Sequence, residues 1–174
     1  MNKNSPIFPV LTSKRLTLRK LSKDDAEAIF ELRSNVEVNK YLDRKPAITM
    51  EDAVNFINSI VENSAYYWAI TKTGEDKLMG TICLFDFNEE SSKCEIGYEL
   101  LPNYQDRGIM AEAVKTVIGY ALETLELKVI EGLPHRDNQR SVKLLQKLGF
   151  EEVCNSAEDD PSLILFRLHL HRQQ

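Results

Sequence analysis

The feature that most constrains this chain is a run in which a strand pattern gives way, across one compact turn, to a long amphipathic helix. Residues 94–101 carry the apolar alternation of a half-buried strand. A polar turn closed by Gly108 follows. Met110, Ala113, Val114, Val117, Ile118, Ala121, Leu122 and Leu125 then keep the i, i+3, i+4, i+7 rule over about four turns. A helix with so wide an apolar face has to pack on a sheet or on other helices, and the strands around it point to an α/β domain. The first turn of a helix also has free backbone N–H groups and a partial positive charge, which together attract phosphate. Gly108 allows close approach of a ligand to the backbone. Many strand–turn–helix units bind nothing, so the periodicity leaves an anion site and a plain connection both open.

The remaining segments fit around this unit. Residues 15–19 alternate strictly and predict a strand. Ser22 is placed to cap a helix carrying Ala26, Ile29 and Phe30, and Thr49 to open one carrying Ala53, Val54, Ile57, Ile60 and Val61. Strands are predicted over 66–71 and 78–86, with turns at 73–76 and 88–93, so the middle of the chain reads as an antiparallel meander. After the long helix come a strand at 128–133 and a helix carrying Val142, Leu144, Leu145 and Leu148 that Gly149 terminates. Closing strands are expected at 151–153 and 162–170, on either side of the acidic turn Glu158-Asp159-Asp160-Pro161.

With 174 residues and no linker or repeat, the chain is expected to form a single domain over 1–174, its core spanning about 12–170. A net charge of −5 argues against nucleic-acid backbone as a partner. No apolar run approaches the ~20 residues of a membrane span, and the start has no apolar leader, so a cytoplasmic location and no membrane partner are expected. Cys83, Cys94 and Cys154 are too few and scattered for a disulfide framework, and Cys83 reads as buried filler. No cluster has metal-ligand spacing, and no Walker or Gly-x-Ser-x-Gly sequence occurs. The apolar run at 163–170 fits either the core or a partner strand, leaving monomer and homodimer open.

Gln105-Asp106-Arg107-Gly108-Ile109-Met110 resembles the pyrophosphate loop Gln/Arg-x-x-Gly-x-Gly/Ala of the GNAT superfamily of N-acetyltransferases. Met110 departs from the small residue usual there, which shifts the expected close approach to Gly108 and Ala111. A second motif stands in the right order: Asn138-Gln139-Arg140-Ser141, then Leu148-Gly149-Phe150, is similar to the family's Asn-x-x-Ser helix closed by Gly-Phe. The strand Glu95-Ile96-Gly97-Tyr98, with Pro102, Tyr104 and Ala111-Glu112-Ala113, resembles the branch of ribosomal-protein alanine N-acetyltransferases. The resemblance covers roughly residues 12–170. It implies a GNAT fold: a mixed, mostly antiparallel sheet of about seven strands flanked by four helices, with a bulged strand splayed at the cofactor cleft.

The same resemblance implies acetyl-CoA as cosubstrate, with no metal. Leu100, Leu101, Gln105, Asp106, Arg107, Gly108, Ile109, Met110, Ala111, Asn138 and Ser141 are the implied cofactor contacts: loop amides on the pyrophosphate, a strand edge on the pantetheine arm. Acyl transfer to an amine also needs a proton acceptor for the amine and a donor for the leaving thiolate. Ser141 matches the family's proposed acid, with Tyr104 as competing donor. Glu95 and Glu99 share one strand face and are candidate bases, with water as the alternative. Glu112 reads as structural, and His135, His169 and His171 as incidental. The resemblance favours a protein N-terminal alanine as acceptor. An amino acid, polyamine or antibiotic amine, and a non-catalytic acyl-CoA-binding domain, stay open beside it. Residues 35–43 and 66–68 are expected to shape the acceptor pocket.

Overall fold

The computed structural model describes residues 7–154 and 160–171. One sheet of eight strands runs through it in the order β1-β2-β3-β4-β5-β6-β8-β7. The strands are β1 (Leu11–Thr12), β2 (Leu16–Lys20), β3 (Tyr67–Lys72), β4 (Leu78–Asn88), β5 (Lys93–Leu100), β6 (Val129–Gly132), β7 (Glu151–Glu152) and β8 (Phe166–His169). Every neighbouring pair is antiparallel except β5 and β6, which are parallel and joined through the long helix α4 (Ile109–Glu123). The predicted meander is therefore present, followed by one crossover. The sheet has an edge strand, β1, that lies before the predicted alternation and is too short to show a period of its own.

On the other side of the chain order, Ser22 and Asp25 form a capping box around a 3-10 turn (Lys23–Asp25) that leads into α1 (Ala26–Ser34). A single-turn helix α2 (Val36–Asn39), capped by Asn35, follows where no periodicity announces it. Helix α3 (Met50–Asn63) starts at the predicted Thr49, again with a capping box to Asp52. Helix α5 (Gln139–Lys147) starts at Asn138 and ends before Gly149, whose φ of +87° suits the left-handed exit of a helix. The last strand is shorter than the predicted 162–170, and Glu158 and Asp159 of the acidic turn lie outside the described residues.

Strand parity divides the core into two layers. Trp68 and Ile70 of β3 point with Ile82, Ile96 and Leu100 toward Ala113, Val114 and Val117 of α4 and Leu145 of α5. Ala69 and Leu78 point the other way, onto Ile29 and Leu32 of α1 and Ala53 and Ile57 of α3. All three cysteines are free, and Cys94 is the buried one; Cys83 is half-buried. Among the described residues no helix is long and apolar enough to cross a membrane.

Candidate active site

The site begins where two strands part. Strand β5 pairs with β6 only through Lys93, Cys94 and Glu95. It stays on β4 much further, from Glu95 opposite Phe85 to Leu100 opposite Gly80. One edge of β5, from Ile96 to Leu100, thus faces a gap rather than a strand. The register shift of the β4–β5 ladder falls between Phe85 and Asn88, at the closed end, where Asp86 has a positive φ of 51°. The splay follows from the two strands diverging after Glu95, with β5 in continuous register on β4 beyond it.

The alternation of an antiparallel ladder says which amides look into the gap. The Leu101 N–H donates to the Met79 carbonyl on β4 at 2.9 Å, so the backbone groups of Leu100 and Tyr98 face the other way. Leu101 itself turns from the gap and is buried in the α1–α3 layer. The Leu100 carbonyl accepts from Gln105 Nε2 at 3.0 Å, which ties the strand end to the loop before α4.

That loop has an anion-binding shape. Asp106 and Gly108 both take left-handed φ values, 61° and 72°, on either side of Arg107, and Gly108 is the N-cap of α4. Successive amides in such a curl converge on a concavity. A Cβ on Gly108 would meet only Arg15 Nη2, at 3.5 Å, so the face stays open. Ile109 and Met110 are buried in the core layer beneath α4. That burial accounts for the large residue at 110: its side chain leaves the loop surface free. A cavity of about 500 Å³ lies against the helix start, lined by Gly108, Ala111, Lys115 and Thr116 of this segment, Ser13, Glu112 and Lys147. Both Glu112 oxygens are already engaged, Oε1 by Ser13 Oγ and the Arg15 N–H and Oε2 by Arg15 Nε, all at 2.7 Å. Glu112 therefore fastens β1 and β2 to α4, while Lys115 and Lys147 are the cations of the cavity. Neither lysine carries a local sequence signal, since they come together only when α4 and α5 pack.

Across the gap, α5 presents its first turn. Asn138 Oδ1 accepts from the Ser141 N–H at 3.3 Å and so serves as N-cap. Ser141 Oγ lies 2.8 Å from the Tyr98 hydroxyl. Burial pushes the Tyr98 phenol up to about 12, against a smaller lowering by Ser141, so it keeps its proton at neutral pH. Tyr98 was legible as part of its strand motif, but its pairing with Ser141 was not, since that spans forty-three positions. Arg140, next to Ser141, reaches back to Gln105 Oε1 and, at 3.2 Å, to Asp106 Oδ2. Tyr104, the competing donor, packs against both core layers from a 3-10 turn (Pro102–Tyr104).

The two carboxylates share a face of β5 but not a place. Glu99 meets Arg44 in a two-pronged ion pair, 3.1 Å and 2.6 Å, with its side chain 9% exposed. Each oxygen thus already accepts one hydrogen bond from the guanidinium. Glu95 is about 14 Å away along the strand at ~3.4 Å per residue, at the closed end of the gap. Burial, then Asp86, raises its carboxyl above the usual range. Arg44 in turn donates Nε to Asn39 Oδ1 at 2.7 Å. Arg33 lies close by, its guanidinium 3.8 Å over the Phe56 ring. The rings of Tyr41, after α2, and His135, after β6, stack 5.3 Å apart and so join those two segments.

Comparison with known proteins agrees with this architecture. An uncharacterised N-acetyltransferase of Bacillus subtilis, YoaA, is 33% identical over 150 residues, 84% of this chain and 85% of that protein. The crystal structure of a GNAT-family acetyltransferase from Bacillus anthracis superposes with a TM-score of 0.81 at 25% identity, covering 92% of this chain and 98% of that one. Microcin C7 self immunity acetyltransferase MccE, solved in complex with acetyl-CoA and AMP, has the same fold: TM-score 0.76, 21% identity, 91% of this chain and 94% of that one. The model of the acetyltransferase (GNAT) domain matches residues 15–151, and the chain belongs to that family of acetyltransferases.

Proposed function

We propose that this chain is a single-domain enzyme that moves the acetyl group of acetyl-CoA to a primary amine in a reducing, cytoplasmic setting. The observation that carries this reading is the succession of three features along one stretch of chain. The free edge of β5 leads to the left-handed loop at Asp106–Gly108, and the loop leads to the cavity holding Lys115 and Lys147. Such a succession suits a long thioester with an amide-bearing arm and a phosphorylated head. Leu100 and Tyr98 backbone groups would pair with the arm, and the amides of Arg107, Gly108, Ile109, Met110 and Ala111 with the pyrophosphate. Lys115 and Lys147 complement the remaining phosphate charge. Bound there, acetyl-CoA supplies an activated acyl group.

The residues then divide the work. The Leu100 N–H, aimed into the gap, is placed to donate to a carbonyl oxygen. Ser141, fixed by the Asn138 cap and the Tyr98 hydroxyl, holds the proton for the departing sulfur. Glu95 lies at the closed end of the gap and Glu99 is held in its ion pair with Arg44, so we assign the amine's proton to water, with Glu99 orienting Arg44 beside the acceptor. The N-terminal amine of a protein, alanine first, is the acceptor we favour. A polyamine fits poorly where guanidinium groups outnumber the carboxylate.

Thermal unfolding with and without acetyl-CoA tests the cofactor. A ligand that binds only the folded state adds about 2.7 kcal/mol at a hundredfold excess over Kd, several degrees in Tm for a chain of this size. A shift with acetyl-CoA that NAD and ATP do not produce supports the proposal; no shift at millimolar acetyl-CoA overturns it.

A further inference from the structure

We infer that the acceptor carries an anionic group beside its amine, read by Arg33 and Arg44. This inference rests on the acetyl-transfer reading above and deepens it. On the α1–α3 side of β5, next to the Leu100 amide, the buried Glu99 carboxylate neutralises one guanidinium, that of Arg44. Burial, then the nearby Arg44 charge, disfavours the charge on the half-buried Arg33, and Glu99 favours it. It packs flat on Phe56 at 3.8 Å, and no carboxylate lies within ion-pair reach of it among the described residues. One carboxylate thus serves two guanidiniums. The segment over them, residues 40–45, adds Lys40 and Lys45 against Asp43 alone. The Tyr41–His135 stack ties the same segment to the loop after β6.

The half-buried Arg33 guanidinium has donors not engaged by any carboxylate among the described residues, and a planar fork of donors suits a carboxylate or phosphate group. The aromatic shelf of Phe56 holds Arg33 in place, so little freedom is lost when an anion arrives. The anion has two sources: the carboxylate of a free amino acid, or an acidic side chain in the first residues of a peptide. Both offer the same chemistry to the same pair of arginines, and a polyamine offers the opposite charge.

The test is a thiol-release assay on the full chain with acetyl-CoA. The acceptors are aspartate and aspartic diamide, N-terminal peptides beginning Ala-Asp and Ala-Asn, and spermidine. The expected result is a kcat/KM at least tenfold higher for the acid than for its amide in one of the two matched pairs, and the pair that responds identifies the source. Arg33→Gln should reduce that ratio to near one while KM for acetyl-CoA stays unchanged. Arg33→Lys, which keeps the charge on the Phe56 shelf, should retain part of it. Equal rates for acid and amide in both pairs, or a preference for spermidine, overturn the inference even if Arg33→Gln fails to fold, because the substrate pairs need no variant. Acetyl-CoA binding by thermal shift separates the failures. Binding with amine turnover but no charge preference defeats this inference alone; no binding defeats the acetyl-transfer reading and this inference with it.

Discussion

The hydrogen bond between Ser141 and Tyr98 makes two residues one proton-holding unit, and the unit has a measurable signature. Ser141→Ala should lower kcat by roughly 10²-fold, the lower end of what a positioned proton donor contributes, with acetyl-CoA affinity nearly intact. Tyr98→Phe keeps the ring's packing and removes only the hydroxyl. It should lower kcat by roughly tenfold, and cost about 1 kcal/mol of stability because Ser141 Oγ loses its partner. If Tyr98 acts through Ser141, the double variant should be no slower than Ser141→Ala alone; additive losses in steady-state thiol release would separate them. By contrast, Glu95→Gln should leave kcat within a few-fold, since that carboxyl lies against Asp86 at the closed end of the gap. Ser141 was visible in the sequence through its motif. Tyr98 was visible within its strand motif but not as the partner of Ser141, and Arg44 not at all, because its ion pair with Glu99 spans fifty-five positions.

Among the elements, the contact of β4 with β5 decides how the gap is held. A Cβ at Gly80 would lie 2.3 Å from the Glu99 carbonyl oxygen and 2.9 Å from the Leu100 Cα, both backbone atoms that cannot swing aside. Gly80→Ala must therefore push β5 away at the very residues that border the site. Overpacking of this kind costs typically 1–3 kcal/mol. Urea unfolding should show that loss, and the fall in kcat/KM should exceed it, because Leu100 and Glu99 move with the strand. Gly74→Ala has nothing within 4 Å of its new Cβ and gives a control for a positive-φ turn. At this scale the sequence was most readable where order is local. The period of α4 and the caps at Ser22 and Thr49 all stand in the structure. The parting of β5 from β6 is not local: the pairing stops because the strands diverge, and no residue in either one marks the point. Helix α2, a single turn, is too short to show a period.

For the molecule as a whole, the last strand pairs are locked by a charge cluster that spans β5, β6 and β8. The buried Glu131 on β6 accepts from Lys93 Nζ at 2.9 Å and from Arg167 Nε and Nη2 at 2.9 Å and 2.6 Å. Burial would raise its carboxyl, but the hydrogen bonds from Lys93 and Arg167 outweigh burial and hold it below the usual range. The sign of the linkage follows. A depressed folded pKa stabilises the fold above the ordinary carboxylate value, about 4.3, and that stability is lost as pH falls through the folded value. Glu95, raised by burial and Asp86, acts oppositely: its ionised form is penalised, and acid relieves the penalty. Glu131→Gln should therefore cost stability at pH 7, roughly 1–3 kcal/mol, less than a fully buried pair because both cations are partly solvated. Between about pH 5 and pH 3 its stability should fall less steeply than that of the native chain. Glu95→Gln should hold or gain stability at pH 7 and fall more steeply as pH is lowered toward the ordinary carboxylate value, about 4.3. Urea midpoints at pH 7, 5 and 4 for the three proteins check both signs. Because Glu131 sits opposite Glu95, at the last paired position of β5 and β6, loosening it should also widen the gap. The KM for acetyl-CoA should rise in Glu131→Gln while kcat stays close to native; an unchanged KM would mean that the cluster holds the sheet together without setting the width of the cleft.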